Sequence, residues 1–101
     1  MEFVRVATVS EIPAGRVLPV KAGGKNLLLA SVEGKVYAFD SRCPHVGLSL
    51  EKGRLEGSTI TCPHHGSRFD VTTGKLLKGP AKKDLPIYEV RVEGDGILVG
   101  V

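Results

Sequence analysis

Apolar and polar residues alternate with a period of two along much of this chain. The alternation is clearest in residues 3–9 and again in residues 87–93. Such a pattern is typical of strands that bury one face and leave the other in water. Glycine-containing turns recur between the alternating segments, at Gly23-Gly24, Glu33-Gly34, Glu56-Gly57 and Gly94-Asp95-Gly96. Together these features predict a mostly β fold, a small sandwich or barrel of short strands.

Two of these turns predict hairpins. One hairpin is expected where the Glu33-Gly34 turn joins residues 26–32 to residues 35–40, and a second where the last turn joins residues 85–93 to residues 97–101. In both places a short glycine-containing turn lies between two apolar-rich segments, which is the usual signal for a hairpin.

Little helix is expected. No window of helical length repeats apolar residues at helical spacing, and residues 10–13 can make only a single turn before Pro13 and Gly15 end it. A short strand is expected at residues 58–61. The chain has no linker, internal repeat or low-complexity tract, so we expect one domain over residues 1–101.

Composition and charge narrow the classes of function. The formal charge of +3 could suit nucleic acid, but the basic residues are mixed with acids and only 5% of residues are aromatic, so no nucleic-acid partner is expected. The longest apolar run, residues 27–30, is far too short to cross a bilayer, and the amino terminus lacks the apolar segment of a secretory signal. We therefore expect a soluble cytoplasmic protein without a membrane partner.

Two short segments carry the candidate chemistry. Each combines one cysteine with histidine, proline and glycine, in Cys43-Pro44-His45-Val46-Gly47 and in Cys62-Pro63-His64-His65-Gly66. Proline fixes φ and glycine permits close approach of the backbone, so both loops suit a compact ligand. In a reducing compartment, two cysteines beside histidines favour a metal over a disulfide.

The pattern Cys-x-His followed by Cys-x-x-His, with residues 46–61 between them, resembles the Rieske iron-sulfur family. In that family two histidines replace two cysteines on one iron of a [2Fe-2S] cluster. The resemblance implies one such cluster, with Cys43 and Cys62 on one iron and His45 and His65 on the other. It also implies an all-β fold, an antiparallel β sandwich with a small cluster-binding subdomain of two loops, at about residues 41–48 and 61–68.

Further residues extend the resemblance and qualify it. Gly79-Pro80-Ala81 resembles the proline loop that covers the cluster, at about residues 78–82, and Ser67 matches a hydroxyl donor to cluster sulfur. The extra cysteine pair of quinol-oxidising Rieske proteins is replaced by Leu48 and His64, and a second donor, a tyrosine, is replaced by Phe69. Because hydrogen bonds to sulfur stabilise the reduced cluster, this loss implies a potential at the low end of the family range.

A low-potential member of the family resembles the ferredoxin component of bacterial ring-hydroxylating dioxygenases. The resemblance implies a monomeric one-electron carrier that transforms no substrate itself. Its partners would be a flavin-dependent ferredoxin reductase and a terminal oxygenase, each bound transiently. Several basic residues near the loops in sequence can be interpreted as a docking rim for an acidic reductase or oxygenase, or simply as solvated surface; they are Arg42, Lys52, Arg68, Lys75 and Lys78.

Alternatives remain at this point. The four ligands could hold one structural zinc ion, although zinc fingers usually group their cysteines and histidines separately. Cys43 and Cys62 could form a disulfide, which would leave the clustered histidines without a purpose. Another interpretation is the small Rieske-like subunit of an assimilatory nitrite reductase, whose members often lack the ligands, and a third class is a redox-sensing or structural module.

Overall fold

A computed structural model describes residues 2–13, 15–42, 49–64, 66–79 and 81–101 of the chain. These residues form eleven strands and one 3-10 turn, Val9–Glu11. In chain order the strands are β1 (Phe3–Thr8), β2 (Leu18–Ala22), β3 (Lys25–Val32), β4 (Lys35–Asp40), β5 (Arg54–Glu56), β6 (Thr59–Thr61), β7 (Arg68–Asp70), β8 (Leu76–Lys78), β9 (Ile87–Tyr88), β10 (Val90–Glu93) and β11 (Gly96–Gly100).

Two antiparallel sheets form a sandwich. The first has the strand order β1-β11-β10 and the second the order β2-β3-β4-β9. Side chains from both sheets fill the space between them, and we call this set the sandwich core. Its buried members are Ala7, Ala22, Leu27, Leu29, Ala38, Ile97 and Val99.

The remaining strands form a small antiparallel sheet with the order β5-β6-β7-β8. This small sheet shares a second core with the outer face of β3 and β4, and we call it the inner core. Leu28, Ala30 and Phe39 reach it from the sandwich, and Ile60 and Phe69 reach it from the small sheet. Strands β3 and β4 therefore bury both faces, which explains why residues 27–30 are a continuous apolar run.

The all-β prediction is confirmed, and so is the first hairpin. Val32 pairs with Lys35 across a two-residue turn in which Glu33 and Gly34 have φ of 51° and 81°. Positive φ at both turn residues matches the twist of a hairpin. Strand β6 lies in the segment expected at residues 58–61.

The second hairpin is confirmed, because Val90–Glu93 pair antiparallel with β11 across the Gly94-Asp95 turn. The prediction that its first strand runs over all of residues 85–93 is wrong. Ile87 and Tyr88 pair with β4 in the second sheet, whereas Val90–Glu93 pair with β11 in the first. The chain changes sheets at Glu89, whose carbonyl oxygen accepts a hydrogen bond from the Gly100 amide at 2.9 Å. The apolar alternation continues through the change of sheet, so the pattern alone could not reveal it.

Only one helical turn occurs in the described ranges, one residue earlier than the turn expected at residues 10–13. It is the 3-10 turn, and the Glu11 carboxylate accepts a hydrogen bond from the Thr8 amide at 2.9 Å at its start. Nowhere in the described part of the chain is there a helix long and apolar enough to cross a membrane.

Candidate metal centre

The expected ligands divide unequally between the described residues and the rest. Cys62 is described, whereas Cys43, His45 and His65 lie outside the described residues, as do Pro80 and Leu48. Among the residues that are described, no three His, Cys, Asp or Glu side chains come together as a metal site. The structure therefore shows the position of Cys62 and of the backbone segments that flank the other expected ligands.

The second loop is the connection of the β6-β7 hairpin. Thr61 pairs with Arg68 at the end of the two strands, and beyond this pair the Cys62 amide donates to the Ser67 carbonyl oxygen at 2.7 Å. The Gly66 amide donates to the Cys62 carbonyl oxygen at 3.1 Å. Gly66 has a φ of 77°, which L side chains rarely adopt, and this lets the loop return to β7.

The first loop is closed at its base in a similar way. Arg42 and Ser49 form an isolated antiparallel bridge, and the Leu50 amide donates to the Ser41 carbonyl oxygen at 2.6 Å. Residues 43–48, which include two expected ligands, connect the two sides of this bridge. Both candidate loops therefore begin and end at paired backbone, which fixes the places from which their ligands extend.

Gly53 brings the bases of the two loops together. A Cβ atom at this position would lie 2.7 Å from the Thr61 carbonyl oxygen and 2.8 Å from that of Leu50. Leu50 follows the first loop, and Thr61 directly precedes Cys62. Only glycine leaves room for this approach. In the sequence Gly53 lies between Lys52 and Arg54, and nothing there indicates the close contact.

A third segment, residues 75–84, is tied to the second loop. The Leu85 amide donates to the Gly74 carbonyl oxygen at 2.7 Å, and the Leu76 amide donates to Asp84 Oδ1 at 2.9 Å, so the ends of the segment are held together. Near its middle, the Ala81 amide donates to Ser67 Oγ at 3.0 Å. This segment carries the residues predicted to form the proline loop. Asp84 follows Lys82 and Lys83 in the sequence, and no pattern there indicates its role in closing this segment.

Cys62 and Ser67 have the environment that a buried cluster requires. The Cys62 side chain is 2% exposed within the inner core, and Ser67 is the one fully buried polar side chain among the described residues. Ser67 Oγ accepts the Ala81 amide and still has its own proton to donate, for which the described residues offer no acceptor. Since a buried hydroxyl needs a partner, a sulfur acceptor beside Cys62 fits this donor.

The residues next to the second loop divide between solvent and the inner core. His64 is exposed, whereas Phe69 and Val71 are fully buried in the inner core. Asp70 forms a turn: its Oδ1 accepts the Thr72 amide at 2.9 Å and the Thr72 hydroxyl at 2.6 Å.

Comparison with known proteins identifies the family. Residues 2–89 match the Rieske [2Fe-2S] domain. The match covers most of the chain, and the chain therefore belongs to this family and binds one [2Fe-2S] cluster.

Similar proteins define the class more closely. The chain is 41% identical over 97 residues, 96% of this chain and 93% of the relative, to the ferredoxin component of the naphthalene 1,2-dioxygenase/salicylate 5-hydroxylase systems of Ralstonia sp.. Among solved structures it resembles the ferredoxin of carbazole 1,9a-dioxygenase from Nocardioides aromaticivorans IC177, with a TM-score of 0.91, 33% identity and coverage of 98% of this chain and 97% of that one.

A second solved structure places a similar chain with its oxygenase. It is the complex of reduced oxygenase and oxidized ferredoxin in carbazole 1,9a-dioxygenase, with a TM-score of 0.88, 32% identity and coverage of 96% of this chain and 91% of that one. The chain is a Rieske ferredoxin, an electron carrier and not itself a catalytic enzyme. The comparisons give no support to the nitrite reductase alternative.

Proposed function

We propose that this ferredoxin passes single electrons from a flavin-dependent reductase to a terminal oxygenase, and that Cys43, His45, Cys62 and His65 hold its cluster. In this proposal the whole chain, residues 1–101, is a single Rieske domain, with cluster loops at about residues 41–48 and 61–68. The protein is proposed to be a cytoplasmic monomer that binds each partner transiently.

The buried pair of Cys62 and Ser67 is the observation that carries the ligand assignment. Cys62 lies at the start of a loop that two backbone hydrogen bonds close. Ser67 lies at the end of the same loop, and the proton of its buried hydroxyl needs an acceptor. Gly53 brings the base of the first loop against Thr61, next to Cys62. This contact places Leu50, which follows the first loop, at the same end of the small sheet as Cys62.

The bound cluster supplies a centre that takes up and releases one electron. The protein side chains hold this centre and control its surroundings. Cys62 is enclosed by apolar neighbours such as Ile60 and Phe69, and this excludes water from the thiolate side. Ser67 Oγ accepts a hydrogen bond from the Ala81 amide, which leaves the hydroxyl proton to be donated to a cluster sulfur in this proposal. His45 and His65, on the loop tips, are proposed to face the partner and provide the route for the electron.

Low-temperature electron paramagnetic resonance of the dithionite-reduced protein tests the ligand set. Mixed histidine and cysteine ligation lowers the average g value below that of an all-thiolate cluster, so a Rieske spectrum is expected. The Cys62→Ser and His65→Cys variants should lose or alter that spectrum, whereas His64→Gln should keep it. A sample that contains zinc and gives no signal would contradict the electron-carrier proposal.

The partner proposal draws on the relatives rather than on the site. The similar ferredoxins are named as components of dioxygenase systems, and one similar chain was solved in complex with an oxygenase. Redox encounters use small interfaces, which is the basis for proposing transient contact. Sedimentation of the isolated protein should give a monomer. Stopped-flow oxidation of the reduced protein by a terminal oxygenase of a similar dioxygenase system should show electron transfer without a stable complex. A stable co-sedimenting complex would contradict transience.

A further inference from the structure

The exposed face of the small sheet is electrically polarised along its strands. Cross-strand pairing aligns Arg54 with Thr61, Thr61 with Arg68, and Arg68 with Lys78, so one row of side chains crosses the whole sheet. We call these three cations, Arg54, Arg68 and Lys78, the basic row. All three are exposed. The next row along the strands is apolar and faces the inner core.

The opposite end of the same face is acidic. Glu56 pairs with Thr59, and Thr59 pairs with Asp70, which places two carboxylates in a row at the far end of the strands. The basic row is at the end that carries the cluster loops, because Thr61 precedes Cys62 and Arg68 follows Ser67. The register sets the two kinds of charge in neighbouring rows of the same face, and Arg54 and Glu56 join the rows through an ion pair.

Arg68 and Lys78 lie directly opposite each other on neighbouring strands. Like charges in that arrangement repel and destabilise the sheet. In the described part of the chain the one recorded ion pair is Arg54 Nε to Glu56 Oε1 at 3.3 Å, so neither member of the opposed pair has a neutralising carboxylate. Stability of the sheet therefore does not account for the placement of these two cations opposite each other.

Positive charge is also concentrated around the cluster loops along the sequence. Residues 41–85 carry eight lysines or arginines and four acids, whereas the rest of the chain carries six basic and seven acidic residues. The excess positive charge therefore belongs to the part that bears the cluster loops. An exposed apolar side chain, Leu77 at 51% exposure, lies beside Lys78 at the bulge in β8. An apolar contact with charged residues around it is the usual composition of a protein interface.

We infer that the basic row and Leu77 form the docking surface of this ferredoxin, and that they select a redox partner whose electron-transfer face is rich in carboxylates. The inference rests on the proposed function, because the row borders the proposed electron route. Lys78 directly precedes the proline loop and Arg68 directly follows the second cluster loop. A partner seated on the row lies close to both loops, and opposite charge speeds its approach.

Outer-sphere probes of opposite charge test the local field. The reduced protein is mixed in a stopped-flow instrument with hexacyanoferrate(III), a trianion, or with hexaammineruthenium(III), a trication. The readout is the ratio of the two rate constants, because a change in cluster potential affects both reactions in the same direction. The test variant is the double charge reversal Arg68→Glu with Lys78→Glu.

The matched control is the double reversal Arg16→Glu with Lys35→Glu, which changes the net charge equally. Both control residues are exposed, and Lys35 lines a cleft with Ser58 and Thr72 at the acidic end of the small sheet. At low ionic strength we expect the anion-to-cation rate ratio of the test variant to be about tenfold below that of the control. The difference should vanish near 1 M salt, where the screening length is about 3 Å.

Equal ratios in the two variants would overturn the inference, because only net charge would then matter. A carboxylate-rich chain gives a second measurement: poly-L-aspartate should slow the reaction of the wild type with hexacyanoferrate(III) and leave the test variant unaffected, and equal slowing of both would also overturn it. Each sample is first checked by electron paramagnetic resonance. A wild type without a Rieske spectrum would contradict the proposed function instead, so the two failures are distinguishable.

Discussion

The sandwich and the small sheet are held together in different ways. In the sandwich, strands of up to eight residues pair over long registers, and the contacts between sheets are apolar. In the small sheet all four strands have three residues, and side-chain hydrogen bonds to backbone amides hold the connections, as at Ser67, Asp70 and Asp84. We therefore expect the sandwich to form without the cluster and the small sheet to depend on the cluster for part of its stability.

Removal of the metal should give the largest difference in stability between the small sheet and the sandwich. In the apoprotein, or in Cys62→Ser, we expect the amides of β5–β8 to lose most of their protection from hydrogen exchange, while those of β3 and β4 keep it. The reason is that the ligands tie the two loops together, and metal binding contributes to the folding of sites of this kind. Exchange measured by NMR or mass spectrometry checks this. Equal protection of the small sheet with and without metal would contradict the comparison.

Two adjacent leucines of β3 sharpen the same comparison. Leu28 belongs to the inner core and Leu29 to the sandwich core, and both are fully buried. Either leucine-to-alanine change should lower the free energy of unfolding by about 2–5 kcal/mol. Only Leu28→Ala should also speed loss of the cluster, because only that side chain packs against the small sheet. Denaturant unfolding and the decay of visible absorbance distinguish them, and equal rates of cluster loss would be the contrary result.

A smaller loss is expected from Gly53→Ala. The new methyl group would press on two carbonyl oxygens, and steric overpacking of this kind costs about 1–3 kcal/mol. Because the two carbonyls belong to the bases of different loops, the cluster signal should broaden or shift. Gly96→Ala is the control: its methyl group would meet chiefly the end of the Arg5 side chain at 3.2 Å, which can move. Identical spectra for the two variants would show that Gly53 does not influence the arrangement of the cluster loops.

Ser67→Ala should lower the reduction potential. Its hydroxyl is expected to stabilise the reduced cluster by one hydrogen bond, about 0.5–1.5 kcal/mol, which corresponds to about 20–60 mV for one electron. The change also leaves the buried Ala81 amide without its acceptor, so some stability is lost as well. Protein-film voltammetry measures the potential, and Ser67→Thr should restore it. A potential equal to that of the wild type would show that the hydroxyl does not reach the cluster.

The smallest effect is expected in the sandwich at alkaline pH. Burial raises the pKa of the Tyr88 hydroxyl above 10.0, and the Asp40 carboxylate adds to the increase. The folded state therefore favours the neutral phenol, and this stabilisation is present below the unfolded pKa and is lost as the pH rises beyond it. Tyr88→Phe keeps the ring beneath Lys25 and should weaken the decline in melting temperature above pH 10. An unchanged alkaline profile would exclude a role for Tyr88.

The sequence alone was sufficient for the fold class, the turns of both hairpins and the family. Alternation with a period of two and the Glu33-Gly34 turn are local patterns, so they can be recognised without knowing which strands will pair. The spacing of cysteine and histidine is equally local, and it led to the Rieske family, which the match over residues 2–89 confirmed. The assignment of the four ligands remains a prediction.

Only the tertiary structure decided how the strands and charges are arranged. Residues 85–93 alternate without interruption, yet they divide between two sheets, because the choice of partner strand depends on distant residues. No pattern in the sequence marks Gly53, because its close approach to the carbonyl oxygens of Leu50 and Thr61 arises only in the folded chain. The basic row exists only through the register of four strands. Sequence determines which residues can form a strand, whereas packing between strands determines which side chains meet.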